Sequence, residues 1–133
     1  MMKYKKIISA FLMLAFVTGC MTTRTSSVYN DVKMEDGENP LCTIQIENTG
    51  WFLFDVIPLV CGDPRFPNDW SCRFFTNTIT LENNLKVLEK EMDKYKTTRI
   101  ANVNSLNKDN FYFCFLLFRR ACLTSAVLLE EKK

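Results

Sequence analysis

The chain has no histidine among its 133 residues. That absence removes the usual base of a nucleophile–His–acid triad and the commonest neutral metal ligand. Its six cysteines include no Cys-x-x-Cys pair, so no structural zinc site is indicated either. Four glycines stand too far apart for a phosphate-cradling loop. There is no Gly-x-Ser-x-Gly. No catalytic group, metal or cofactor is therefore assigned, and the expectation is a protein that is not an enzyme. Carboxylates for acid–base work would have to come from Glu47, Asp55, Asp63 or Asp69. Asp55 is the most notable because it interrupts an apolar run, where burial would raise its pKa. An edge or strand-end position for Asp55 removes that argument.

No second long apolar run follows the first. Residues 7–17 are apolar and follow Lys3, Lys5 and Lys6. A membrane-spanning helix needs about 20 such residues, so the run is too short for a permanent anchor. Residues 111–129 are also greasy, but Arg119 and Arg120 sit near their middle, where charge is costly in lipid. Two strands joined by an arginine turn fit better. A basic head, an apolar middle and then small residues form a secretory signal. The stretch ends Val17-Thr18-Gly19-Cys20. It resembles the signal of bacterial lipoproteins, whose lipobox has an aliphatic residue, two small residues and the lipid-bearing cysteine. The resemblance implies cleavage between Gly19 and Cys20, with acyl chains such as palmitate on Cys20. It implies a place on the periplasmic side of the cell envelope or at the cell surface. Met21 in the following position, rather than Asp, favours the outer membrane over the inner membrane by the same resemblance.

Removing residues 1–19 takes away three of the 17 basic side chains and none of the 15 acidic ones. The remaining chain has a net charge of −1 from 14 bases and 15 acids, so nothing suggests a nucleic-acid partner. What is left suffices for one small domain and not two. Residues 20–39 form the lipidated cysteine and a polar, Thr/Ser-rich tether. As a coil it would span roughly 25 Å. The domain is expected over residues 40–133.

Residues 42–47 alternate apolar and polar as a half-buried strand does. Asn48-Thr49-Gly50 predicts a hairpin loop, and residues 51–61 a second strand, ending or lying at an edge where Pro58 falls. Residues 62–75 read as a long loop holding Phe66, Trp70, Phe74 and Phe75. These aromatics are expected to fold back on the core, the other possibility being an exposed patch. Cys61 and Cys72 flank this loop and are the favoured pair for a disulfide. In the alternative reading, every cysteine after Cys20 is a small buried hydrophobe, and Cys114, in an aromatic run, suits it.

Leu81, Leu85, Leu88, Met92 and Tyr95 recur at helical spacing. They predict a helix over 80–96, capped by Thr78 or Thr80 and laid on the sheet by that stripe. Strands are expected at 99–106, 111–118 and 121–129, with turns at 107–110 and at Arg119-Arg120. The sum is a small α+β domain in the order ββαβββ: about five mostly antiparallel strands with one amphipathic helix on one face. In outline it is similar to small bacterial lipoproteins with a helix followed by a strand hairpin. One helix leaves the second face to the aromatic loop, a second copy or the membrane side. Two functions follow. The first is a membrane-anchored lipoprotein with a structural or protein-interaction role, its partner an envelope protein or a second copy. The second is a lipoprotein that binds a small apolar or aromatic ligand through Trp51, Phe66 and Trp70.

Overall fold

The computed structural model of the protein describes residues 19–27, 38–112 and 116–130. The expectations for the leader 1–18, for the tether over 28–37 and for Cys114 lie outside the described residues. Six strands and one helix follow one another as β1 (Met21–Ser26), β2 (Pro40–Leu53), β3 (Ile57–Gly62), β4 (Cys72–Phe74), α1 (Leu81–Tyr95), β5 (Ile100–Tyr112) and β6 (Leu117–Leu129). They make a small α+β unit with an antiparallel sheet in the order β4-β3-β2-β6-β5. β1 pairs with residues 43–48 of β2, and β3 pairs with residues 50–53 of the same edge. Two strands thus share one side of β2, end to end.

The order of elements departs from ββαβββ at both ends. Met21–Ser26, read as tether from its polar composition, is a strand. Threonine-rich segments have good strand propensity, and the free edge of β2 supplies the hydrogen-bond partners. The hairpin expected at Asn48–Gly50 is continuous β2. The real reversal comes at Phe54, Asp55 and Val56, where Phe54 and Asp55 take φ of 51° and 60°. Gly50 marks a close approach rather than a turn: a Cβ there would fall 2.7 Å from Cys61 Sγ. Pro58 lies on a length of β3 that β4 does not cover, since β4 pairs only with Val60 to Gly62. On its other edge it faces Phe52 of β2 beside a register shift, and edges and bulges are where sheets tolerate proline.

The predicted turn at 107–110 lies inside β5. Its Asn-Lys-Asp-Asn composition suits an edge strand, and residues 102–110 are all exposed. Polar and charged side chains keep such an edge in water. Arg119 and Arg120 sit in β6, not in a turn. Of the predicted strand at 111–118, residues 111 and 112 end β5 and residues 117 and 118 begin β6, while 113–115 lie outside the described residues. The strands covered by neighbours along both edges through their length are β2, between β6 and the β1/β3 pair, and β6, between β2 and β5.

The helix is where its periodicity placed it, but turned. Thr80 caps it, its hydroxyl accepting from the Asn83 N–H at 3.3 Å, and Lys96 closes it in the left-handed region. Glu82 and Lys86 form an i,i+4 ion pair. The buried residues are Asn84, Val87, Leu88 and Glu91, whereas Leu81, Leu85 and Tyr95 are exposed. That is a rotation of about 70°, less than one residue's worth of helix, with Leu88 common to both faces. The sheet dictates it. Thr124 is buried beneath the helix, and its hydroxyl needs a polar partner. Asn84 Nδ2 donates to Thr124 Oγ1 at 3.0 Å and to the Cys122 carbonyl at 2.9 Å. Around this bond the core closes with Met21, Cys42, Ile44, Ile46, Val87, Leu88, Ala126 and Leu128.

Asn84→Ala should therefore destabilise the domain by about 1–3 kcal/mol, the cost of leaving a buried hydroxyl and carbonyl short of a donor. Leu85→Ala, on the exposed stripe, should cost less. Urea denaturation of the two variants checks the order, and a reversed order would mean that the stripe read from sequence is the true core face.

Candidate functional site

Cys20 is the residue to which the sequence assigned chemistry, and the sheet reaches it. Beyond β1 the pairing continues by one residue. Cys20 N donates to the Thr49 carbonyl at 3.2 Å, and Thr49 N donates to the Cys20 carbonyl at 2.8 Å. Thr49 Oγ1 adds two bonds, accepting from Cys20 N at 3.2 Å and donating to the Cys20 carbonyl at 3.1 Å. Met21 then turns into the core, where 1% of its surface stays exposed. Alternation along a strand sends the Cys20 side chain to the opposite face, and Cys20 is exposed.

At this point the incoming chain lies against the end of β3, and both sides need glycine. A Cβ on Gly62 would sit 2.6 Å from the Cys20 carbonyl carbon and the Met21 nitrogen. A Cβ on Gly19 would sit 2.6 Å from the backbone of Cys61. The expected cleavage position between Gly19 and Cys20 is thus a backbone contact in the folded domain.

The loop after Gly62 holds the outer side of β1. Asp63 is buried, and Arg65 folds back on it with a fork of bonds, Nη2 to Oδ2 at 2.6 Å and Nε to Oδ1 at 3.0 Å. The Arg65 N–H also donates to Oδ1 at 3.0 Å, and Arg73 approaches to 3.7 Å. These bonds to Arg65 hold the Asp63 carboxyl below its ordinary value. Asn68, in the left-handed region, then acts as a short strand would: its N–H donates to the Met21 carbonyl at 2.8 Å, and its Oδ1 accepts from Thr23 N at 2.7 Å.

The aromatics of this loop do not fold back on the core. Trp70 is 92% exposed, Phe75 74%, Phe74 64% and Phe66 50%. The tight bonding of Asp63 and Asn68 fixes the backbone without burying the side chains between them. Of the three residues expected to line a ligand pocket, Trp51 is half-buried in β2 while Phe66 and Trp70 stand on the loop surface. An exposure of 92% is that of a side chain in open solvent rather than of a pocket wall.

Cys61 and Cys72 are free thiols. Opposed residues of an antiparallel pair share a face and successive residues alternate. Cys61 opposes Arg73 and Cys72 opposes Gly62, so the two cysteines point to opposite faces and form no bridge. Burial pushes the thiols of Cys42 and Cys61 up, which lowers their reactivity. Cys122 is buried as well.

Asp55, singled out for its apolar neighbours, sits in the β2–β3 turn and pairs with Arg120, Nε to Oδ1 at 3.0 Å. Arg120 Nη2 also donates to the Asp55 carbonyl at 2.9 Å. The guanidinium lies 4.7 Å from the centre of the Phe52 ring and 3.6 Å from Asp109. This cluster staples the β2–β3 turn to β6 and borders a cavity of about 140 Å³ with Ile79 and Asn107. Glu91, also buried, pairs with Lys94. Among the described residues no three His, Cys, Asp or Glu side chains are grouped to hold a metal ion. No described helix is long and apolar enough to cross a membrane.

Sequence reasoning singled out Cys20 but did not foresee its seat. Thr49, Gly62 and Asn68 are each unremarkable in the primary structure, and only Gly62-Asp63-Pro64-Arg65, with an acid two residues from a base, hinted at a locked turn. Compared with protein-family models, curated proteins and solved structures, the chain matches none.

Gly62→Ala should cost about 1–3 kcal/mol through overpacking against immovable backbone. The amide of Thr49 should also exchange with solvent faster in that variant, measured by hydrogen exchange. Asp63→Asn should lower the melting temperature at neutral pH. Because the folded carboxyl titrates below its unfolded value, its contribution is complete above the ordinary carboxylate pKa, about 3.9. The contribution fades as pH falls through the lower folded value. Melting curves of wild type and Asp63→Asn should therefore differ by a constant amount from neutral pH to mildly acidic pH and converge only below about pH 4.

Proposed function

We propose that the protein is a bacterial lipoprotein, held on an envelope membrane by acyl chains on Cys20. Its α+β domain serves as a non-enzymatic structural or interaction module. The observation that carries this reading is the run Val17-Thr18-Gly19-Cys20 after a basic, apolar leader. It ends at an exposed cysteine one residue before the first strand. Cleavage before Cys20 would leave every strand of the domain intact. An N-acylated Cys20 keeps one N–H, and that is what the Thr49 carbonyl accepts.

The non-enzymatic part rests on what the ionisable groups do. Asp63 with Arg65, Asp55 with Arg120 and Glu91 with Lys94 each fasten one piece of backbone to another or close a helix face. Outer-membrane residence follows, in this reading, from Met21 after the acylated residue. The fold gives Met21 a second reason to be there: an aspartate in its place would put a carboxylate into the core. The partner in this reading is an envelope protein or a second copy of the chain.

Cys20→Ser should abolish incorporation of radiolabelled palmitate in cells and shift the protein from the membrane fraction to the soluble one. Mass spectrometry of the wild-type amino-terminal fragment should show a diacylglyceryl group on Cys20. A mature protein still joined to residues 1–19 would overturn the reading.

A further inference from the structure

The register of the sheet shows what surrounds the anchor. Cys20 is bonded opposite Thr49, so its side chain shares a face with Thr49 and, in the next row, with Trp51. This is the face away from α1, whose contacts are with Ile44, Ile46, Ala126 and Leu128 on the other side. Across the strands the Trp51 row reads Phe74, Val60, Trp51, Arg119 and Asn110. The Thr49 row continues through Ala121 to Lys108. On the other side of Cys20 come Thr22, Glu47, Leu123 and Leu106, and then Arg24, Gln45, Ser125 and Asn104.

Rows are roughly 7 Å apart. The Cys20 thiol therefore opens one row from Trp51 and beside the side-chain-free Gly62. Phe74 and Leu106 on this face are exposed. Arg24, Lys108 and Arg119 have no ion-pair partner among the described residues. Glu47 is the single carboxylate in these four rows.

We propose that this helix-free face docks on an anionic lipid surface, with Trp51 and Phe74 at headgroup level and Lys108, Arg119 and Arg24 on the phosphates. The proposal rests on the acylation of Cys20. Two observations single out lipid as the occupant. The first is slack. Cys20 is locked into the sheet by bonds to Thr49 in both directions, so nothing flexible separates acyl chains from domain. The bilayer must then come within a side chain's length of this face. The second is chemistry. Aromatic rings beside unpaired cations are what a headgroup layer bearing anionic lipid accepts. The exposed Phe66 and Trp70 extend the same character along the loop that Asn68 ties to β1.

The test uses the lipidated protein in vesicles of phosphatidylethanolamine and phosphatidylglycerol. The chain has two tryptophans, so Trp70→Phe leaves Trp51 as the only reporter. With lipids brominated near the glycerol end, Trp51 should lose most of its emission, shift to the blue and become shielded from acrylamide. Lys108→Glu with Arg119→Glu should return much of that emission while the protein stays vesicle-bound. Mass spectrometry of the same preparation reads the anchor separately. If Cys20 carries its diacylglyceryl group and Trp51 is still unquenched and open to acrylamide, docking is wrong and the lipoprotein reading stands. Shielding from acrylamide without quenching by bromolipid would overturn docking in favour of a second copy on this face. An unmodified Cys20 in membranes would overturn both readings.

Discussion

The fold depends on the passage of residues 19–21 against residues 61 and 62. Two backbones meet there with no side chain between them, because the positions that would supply one are glycine. β1 and β3 are thereby admitted to the same edge of β2, one after the other. The rest of that side of the molecule follows. Met21 reaches the core, Thr49 is satisfied by Cys20, and the loop after Gly62 is brought near enough for Asn68 to serve as β1's outer neighbour. A bulkier residue at 62 would separate the first strand from the sheet before it disturbed the helix.

Much of the domain was readable from its residues. The alternation over 42–47 is the first half of β2, and the cap at Thr80 and the extent of α1 fell within a residue of expectation. What escaped was set by contacts distant in sequence. Hydrophobic periodicity rotated the helix wrongly, because it weighs Leu85 above Asn84 and cannot know that Thr124 lies beneath. Composition made turns of Asn48-Thr49-Gly50 and of 107–110, where one is a close strand contact and the other a solvated edge. It made a tether of Met21–Ser26 for the same reason, since polar strands are legible only once their partner is known. For the candidate site, the motif at Cys20 was visible and its surroundings were not. Trp51, Phe74 and Arg119 come from three separate strands, and only register sets them in one row.

The charged residues divide by task. Carboxylates of the turns and loops are spent on local fastening, as Asp63 with Arg65 and Asp55 with Arg120 show. Cations on the helix-free face have no such duty among the described residues, and this imbalance distinguishes that face more than its apolar content does. An ordinary soluble sheet would mix the signs there. The imbalance also survives loss of the leader, whose lysines account for the whole positive balance of the full chain.

The burial of Gly19 and the bonding of Cys20 bear on the order of events in maturation. A peptide bond whose flanking residues are locked in a sheet is closed to a peptidase, which needs the strand opened and extended before it can cut. Under the proposed processing, acyl transfer and cleavage must precede the zippering of β1 onto β2. The last step of folding would then occur on the membrane, with the newly freed terminus drawing the domain down onto it.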